Sequence, residues 1–141
     1  MIQDKASDTV PKGVSLTISI DQSVPIKANG KVLVKLRLEN KSNKVLRMWD
    51  RFVERDFELR VVAPYGTEAP LTDFGKSIRT PPFRNYRNML ITVAPGQIVR
   101  DEQELTRVYV VKEQGWYSVQ ACRDLIDFGN LYSNRIELEV K

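Results

Sequence analysis

The chain has 141 residues, of which 42% are apolar and 28% charged, with 7 Gly and 7 Pro. This length and composition favour one globular domain and exclude collagen-like or low-complexity chains. The single cysteine excludes an internal disulfide, and the lack of histidine excludes a Ser-His-Asp triad, a Cys-His dyad and a His-ligated zinc site. The net charge of +4 does not by itself indicate nucleic-acid binding.

Apolar residues alternate with polar ones along much of the chain, which is the pattern of half-buried β-strands. The first such run is 14–21, and the turn Asn29-Gly30 separates it from a second run over 32–39. Further strands are predicted at 45–49, 56–62, 89–93, 117–122 and 135–141, with a short edge strand at 68–72 and a strand followed by a helical turn over 98–111. No run of ten or more residues has the period of an amphipathic helix.

These runs predict an all-β protein, built as a two-sheet antiparallel sandwich of seven to nine short strands with polar outer faces. Residues 1–13 lack periodicity and are predicted to be a flexible tail, so that residues 14–141 form the single domain. The predicted core comprises Leu16, Ile18, Val34, Leu36, Leu38, Leu59, Ile91, Tyr117, Val119, Ile136 and Leu138.

Four runs of residues combine a strand pattern with turn residues: VPIKANGKVLVKLRLENKSN (24–43), ITVAPGQ (91–97), GWYSVQACR (115–123) and SNRIELEV (133–140). These runs resemble the strands and turns of bacterial immunoglobulin-like modules. The resemblance extends over about residues 14–140 and implies an immunoglobulin-like sandwich. It also implies that Tyr117 is a corner tyrosine, whose hydroxyl binds the backbone upstream. Modules of this kind are mostly adhesive, spacer or ligand-binding parts of exported proteins.

The longest irregular stretch, Asp73 to Asn88, contains the candidate binding loop. From Lys76 to Arg100 there are five cations and no acid, which predicts a local positive field. Arginines bind carboxylates or phosphates, and aromatic rings provide stacking faces for a partner. The residues predicted to contact a partner are Arg79, Phe83, Arg84, Tyr86 and Arg87. In the alternative, Phe83 and Tyr86 cover the core and the arginines pair with Asp73 or Asp101.

Other features of the sequence favour a structural explanation over a functional one. The acids within 50–58 and 101–104 lie near arginines or lysines and are predicted to be solvated strand ends. Residues 124–130 lack the ligand spacing of a calcium loop and are predicted to connect the last two strands. Asn40-Lys41-Ser42 fits a glycosylation sequon but is predicted to form a turn. Cys122 is predicted to be a small, half-buried residue.

We predict a non-catalytic immunoglobulin-like module of an exported bacterial protein, in the periplasm or at the cell surface, that binds a protein or a glycan through loops or sheet edges. Residues 1–12 lack the features of a signal peptide, so the chain would be a mature fragment, and a cytoplasmic location stays open. The alternative is a small cysteine-poor proteinase inhibitor similar to the bacterial intracellular proteinase inhibitors, with residues 79–88 in the protease cleft. We expect no cofactor, no metal, no specific nucleic-acid partner and no membrane span, since no apolar run approaches ~18 residues.

Overall fold

The computed structural model describes residues 9–21, 26–79 and 89–141. Strands make up 54% of these residues and helices 12%, so the prediction of an all-β protein with antiparallel sheets is confirmed. In this part of the chain the strands are β1 (Val14–Ile20), β2 (Leu33–Asn40), β3 (Leu46–Asp50), β4 (Phe57–Val62), β5 (Met89–Val93), β6 (Ile98–Glu104), β7 (Gly115–Leu125) and β8 (Gly129–Val140). The helices are α1 (Val53–Asp56), α2 (Asp73–Arg79) and α3 (Leu105–Val108). None of these helices has the length and apolar character needed to cross a membrane.

Hydrogen bonds group the strands into three antiparallel sheets. In the first sheet β2 lies between β1 and β6, in the second β7 lies between β4 and β8, and in the third β3 pairs with β5. Successive side chains of a strand point to opposite faces, so each sheet has an apolar face and a polar face. The predicted edge strand at 68–72 is reduced to isolated bridges that join Glu68 to Val62 and Leu71 to Tyr109.

The apolar faces of the three sheets contribute to one core. All of the predicted core residues belong to this cluster. Nine of them are buried, while Ile91 and Ile136 are partly buried and pack against the rest. The alternation of the sequence therefore assigned the buried face of each of these strands correctly.

The third sheet continues the first through a bend at Asn40. Glu39 pairs with Ile98 and Leu46 pairs with Val93, so the connection 41–45 between β2 and β3 lies opposite the connection 94–97 between β5 and β6. The buried side-chain amide of Asn40 donates to the carbonyls of Lys44 (2.8 Å) and Val93 (2.9 Å). The predicted turn is confirmed, and a glycan on this amide would disrupt the hydrogen bonds that hold the bend.

The second sheet contacts the edge of the first through its last strand. β7 and β8 form a long hairpin that closes with Leu125 opposite Gly129. A connection between the last two strands was predicted here, but over 124–130, and the strands reduce it to 126–128. The side chain of Asn134 on β8 accepts from the N–H of Ile18 at 2.8 Å and donates to its carbonyl at 3.1 Å. The side-chain amide of Asn134 thus makes the two hydrogen bonds to Ile18 that a neighbouring strand would otherwise make.

The hydroxyl of Tyr117 forms hydrogen bonds with the backbone four residues upstream. It donates to the carbonyl of Glu113 at 2.9 Å and accepts from the N–H of the same residue at 3.1 Å. Burial of the ring raises the pKa of Tyr117, which keeps the phenol protonated and able to donate. The hydroxyl therefore fixes the loop before β7 to a side chain in the core.

The predicted tail is described in part. Residues 1–8 lie outside the described residues. The hydroxyl of Thr9 binds the carbonyl of Phe128, and the carbonyl of Gly13 accepts from the N–H of Lys41 at 2.8 Å. Residues 9–13 therefore contact both the β7–β8 hairpin and the turn after β2.

Candidate functional site

The predicted binding loop is described at its first residue, Arg79. Phe83, Arg84, Tyr86 and Arg87 lie outside the described residues. Their contact with a partner stays a prediction, as does the insertion of residues 79–88 into a protease cleft.

Arg79 ends α2, and its guanidinium group lies at the edge of β4. It donates to the carbonyl of Leu59 at 3.2 Å and to the hydroxyl of Tyr109, and it lies 3.3 Å from Glu68 and 3.7 Å from Glu58. Burial alone would lower the pKa of Arg79, but Tyr109 and the two acids together raise it above its ordinary value. Arg79 therefore pairs with acids of the fold, but with Glu68 and Glu58 and not with the predicted Asp73 or Asp101. Its bond to Leu59 also satisfies the backbone of an edge strand.

Glu54 and Asp56 are buried, so the prediction of solvated strand ends is wrong for these two acids. α1 directs both carboxylates toward arginines from other parts of the chain. Asp56 Oδ1 accepts from Nε of Arg51 at 2.8 Å, and Glu54 Oε1 lies 3.1 Å from the guanidinium group of Arg107. Burial is tolerated because each charge has a partner and hydrogen bonds.

Arg123 of β7 is the interior cation of this cluster. It lies 3.7 Å from Oδ2 of Asp56, donates to the carbonyl of Trp49, and stacks on Phe57 with 4.5 Å between the guanidinium carbon and the ring centroid. Burial lowers the pKa of Arg123, and the charge of Asp56 opposes that change. These contacts hold the segment around α1 against β7, which is a structural role.

Cys122 is half-buried, as predicted. In the register of the second sheet it lies between Glu58 on β4 and Tyr132 on β8. Burial, with the negative charge of Glu58, raises the pKa of the Cys122 thiol to about 11. The thiol is therefore protonated at neutral pH, and a protonated thiol is a poor nucleophile.

We expect folded protein to react slowly with a disulfide reagent such as Ellman's reagent at pH 8, since only the thiolate attacks. With a pKa of about 11 for Cys122, roughly one thiol in a thousand is ionised at that pH. The rate should keep rising by about tenfold per pH unit up to pH 10, whereas urea-unfolded protein should level off near its ordinary pKa of ~8.5. A plateau near pH 9 in the folded protein would contradict this expectation.

A groove of about 540 Å³ lies on the outer face of the first sheet. Its volume is in the range of small-molecule and cofactor sites, which are about 300–1,000 Å³. The residues that line it are Thr17, Ser19, Lys35, Leu36, Arg37, Arg100, Asp101 and Glu102.

The strand register arranges six of these residues in two rows, each crossing β1, β2 and β6. The first row is Thr17, Arg37 and Arg100, and the second is Ser19, Lys35 and Glu102. On β2 the two cations alternate with the buried Val34, Leu36 and Leu38, so they point away from the core. The groove therefore presents hydroxyl, cationic and anionic groups from the rigid strands of one sheet.

Arg37 and Arg100 face each other directly across β2 and β6. The guanidinium group of Arg37 donates to both carboxylate oxygens of Glu39, at 3.2 and 3.4 Å. Burial would raise the pKa of Glu39, but Arg37, with help from Lys41, holds it below its ordinary value. Within the described ranges, the side chain of Arg100 has no ion pair or hydrogen bond, and neither has that of Lys35.

A second candidate surface lies at one corner of the second sheet. Trp116 is 56% exposed, and Tyr65, in the turn after β4, is 55% exposed. A Cβ atom on Gly115 would lie 2.9 Å from the side chain of Pro64, so this turn packs closely against the start of β7. Large exposed aromatic rings are common in binding surfaces, which makes this corner the alternative to the groove.

Sequence reasoning did not find the groove. The alternation of β2 indicates that Lys35 and Arg37 point outward, but β6 was predicted only within a mixed run, and its partner was not predicted. The signal that could have found the site is the outward position of Arg100 after the turn at Pro95-Gly96. The outward position of Arg100 indicates a site only when the pairing of β6 with β2 is known.

Comparison with known proteins gives no family for this chain. No protein-family model matches the sequence, and no curated protein matches it significantly. The fold and the site define a general class, that of antiparallel all-β proteins with a polar groove on a sheet face. A fold does not by itself fix a function, so function is argued from the groove.

Proposed function

We propose that this chain is a non-catalytic immunoglobulin-like module of an exported bacterial protein, and that it binds a glycan in the groove of the first sheet. The observation that carries the proposal is the pair of cross-strand rows, in which hydroxyl, cationic and anionic groups alternate over a small area. The groove replaces the predicted loop as the leading candidate for partner contact.

The strand pairings support an immunoglobulin-like arrangement. In that fold strand B pairs with A and E in one sheet, and strand F pairs with C and G in the other. β2 has these neighbours in β1 and β6, and β7 has them in β4 and β8. Tyr117 lies near the start of β7 and binds the backbone upstream, which is the position and bonding of the corner tyrosine in strand F.

The chemistry of the groove supports a glycan as the partner. Sugar hydroxyls both donate and accept hydrogen bonds, and the groove offers both kinds of group. Glu102 can accept, Lys35 and Arg100 can donate, and Thr17 and Ser19 can do either. The strands hold these groups in place before binding, which lowers the entropy lost when a ligand is bound.

Two ionisable groups of the described residues are unsuited to act as a base or a nucleophile at neutral pH. The Tyr109 hydroxyl and the Cys122 thiol have the largest pKa changes, and in both cases burial raises the pKa and favours the protonated form. Neither residue lines the groove. A general base or nucleophile at neutral pH would need the opposite change, or a place in the site.

A panel of neutral and acidic oligosaccharides, probed with the full chain and followed by titration calorimetry, tests this proposal. Arg100→Gln should weaken glycan binding by roughly ten- to a hundred-fold, because a hydrogen bond from a charged group contributes about 1.5–3 kcal/mol. Lys112→Gln is the matched control. It removes an exposed cation that does not line the groove, and it should leave the affinity unchanged.

Trp116→Ser separates the groove from the aromatic corner of the second sheet. If binding is lost with Trp116→Ser and kept with Arg100→Gln, the site lies on the second sheet and the proposal is wrong. Failure of every oligosaccharide in the panel would also reject it.

A further inference from the structure

We propose that Arg37 and Arg100 form a clamp for a carboxylate, so that the groove selects sugar chains that carry carboxylate groups, such as oligouronates. This inference rests on the proposed glycan binding and names the ligand class of the same groove. It is carried by the position of the two arginines, by their partners, and by the acid Glu102 that shares the groove.

Two arginines in direct register on neighbouring strands are unfavourable. Cβ atoms of directly opposed residues lie about 4.5–5.5 Å apart, and like charges at that separation destabilise a sheet. Arg37 and Arg100 are such a pair. Glu39 compensates Arg37, and Lys41 also lies near that carboxylate, at 3.5 Å. In the described part of the chain no acid is within ion-pair distance of Arg100, so this cation is left for an external anion.

A carboxylate fits the N–H donors of Arg37 that Glu39 does not use, together with those of Arg100. The guanidinium group of arginine has five N–H donors in one plane and binds the two oxygens of a carboxylate with parallel hydrogen bonds. Glu39 takes one hydrogen bond from Nη1 and one from Nη2 of Arg37, which leaves three donors. Arg100 retains all of its donors. One carboxylate between the two groups would be bound from both sides and would remove their mutual repulsion.

An acid in the groove disfavours a densely charged ligand. Glu102 lies in the second row, opposite Lys35. Its carboxylate would repel the closely spaced phosphates of a nucleic acid, whose binding requires a basic surface. It can accept hydrogen bonds from sugar hydroxyls, and Thr17 and Ser19 on β1 add further hydroxyl contacts. The combination fits a ligand with one carboxylate per sugar ring and several free hydroxyls.

The test compares fragments of polygalacturonate, polymannuronate and polyguluronate with their methyl esters. Esterification removes the negative charge and keeps the ring and its hydroxyls. We expect at least one oligouronate to bind the full chain, and its ester to bind at least tenfold more weakly. The affinity for the acid should fall with added salt, and that for the ester should change little.

Two substitutions of Arg100 separate a clamp from simple charge attraction. Arg100→Lys keeps the charge but loses the planar fork, so it should weaken oligouronate binding severalfold and preserve the salt dependence. Arg100→Thr removes the like-charge pair and places a good strand former on β6. It should abolish binding of the acid while raising the melting temperature of ligand-free protein by roughly 1–3 °C.

Each other outcome rejects a stated part of the inference. Equal affinity for an acid and its ester would reject the clamp and leave the proposed glycan binding in place. Full affinity in Arg100→Lys would also reject the clamp. Tighter binding to polyglutamate than to any oligouronate would reject the sugar ligand. If neither the acids nor their esters bind and the neutral panel also fails, the clamp and the proposed function are both wrong.

Discussion

Replacing Asp56 with Ala is expected to lower the free energy of unfolding by about 3–5 kcal/mol, the range for removal of one partner from a buried ion pair. The side chains of Asp56 and Arg123 are 5% and 4% exposed. Without the carboxylate, Arg123 would lose its ion-pair partner in an environment where burial already lowers its pKa. The N–H of Arg51, which donates to Oδ2 at 2.6 Å, would lose its acceptor as well. Urea unfolding followed by fluorescence measures the change.

Two controls assign this loss to the buried charge. Asp127→Ala removes an acid that binds Arg47 through two hydrogen bonds, but this pair is at the surface. Water and salt screen it, so the loss should be much smaller than for Asp56→Ala. The double variant Asp56→Leu/Arg123→Met removes both of these buried charges and should recover part of the stability. Arg51 also loses its contact with Asp56, but its side chain is 18% exposed and can be solvated. If the double variant is less stable than Asp56→Ala, the stabilising effect of Asp56 does not come from neutralising the charge of Arg123.

Much of the sheet structure could be predicted from the sequence, because a half-buried strand shows its period directly. The runs predicted at 14–21, 32–39, 45–49 and 56–62 coincide with β1 to β4 to within about one residue at each end. The strand and helical turn predicted over 98–111 correspond to β6 and α3. At these positions the local pattern and the burial of the folded protein agree.

The helices α1 and α2 were missed because tertiary contacts, and not a local period, determine them. α1 has 4 residues, too few to show a period. α2 has 7 residues and contains Gly75, a poor helix former. A Cβ atom at Gly75 would overlap the carbonyl oxygen of Val108, so this helix needs a glycine to lie against the end of α3. From the sequence alone, Gly75 indicates only that an irregular stretch is interrupted at this position.

The site and the buried acids could not be predicted because both depend on which strands are neighbours. The sequence shows that Asp56 lies near arginines, but its buried partner Arg123 comes from β7, far along the chain. Likewise, the alternation of β2 places Arg37 on the outer face, and only the β2–β6 register places it opposite Arg100. The identity of each residue is local information, whereas its partner is determined by the fold.

Replacing Leu36 with Ala is expected to lower the free energy of unfolding by about 2–5 kcal/mol, because a buried side chain is removed and a cavity remains. Leu36 is in the central strand of the first sheet, opposite Ile18 and Asp101, and is 1% exposed. Neighbouring strands on both sides limit the collapse that could fill the cavity. Denaturant unfolding measures the loss, with an unchanged slope showing that the unfolded state is unaffected.

Leu33→Ala is the matched control for Leu36→Ala, because it makes the same chemical change on the same strand. Leu33 lies on the opposite face of β2 and is 40% exposed, so its loss should cost no more than about 0.5 kcal/mol, typical of surface positions. A shift of β2 by one residue would exchange the two faces and reverse these costs. Such a reversal would also turn Lys35 and Arg37 toward the core, so the relative stabilities of the two variants test the position of the groove without any ligand.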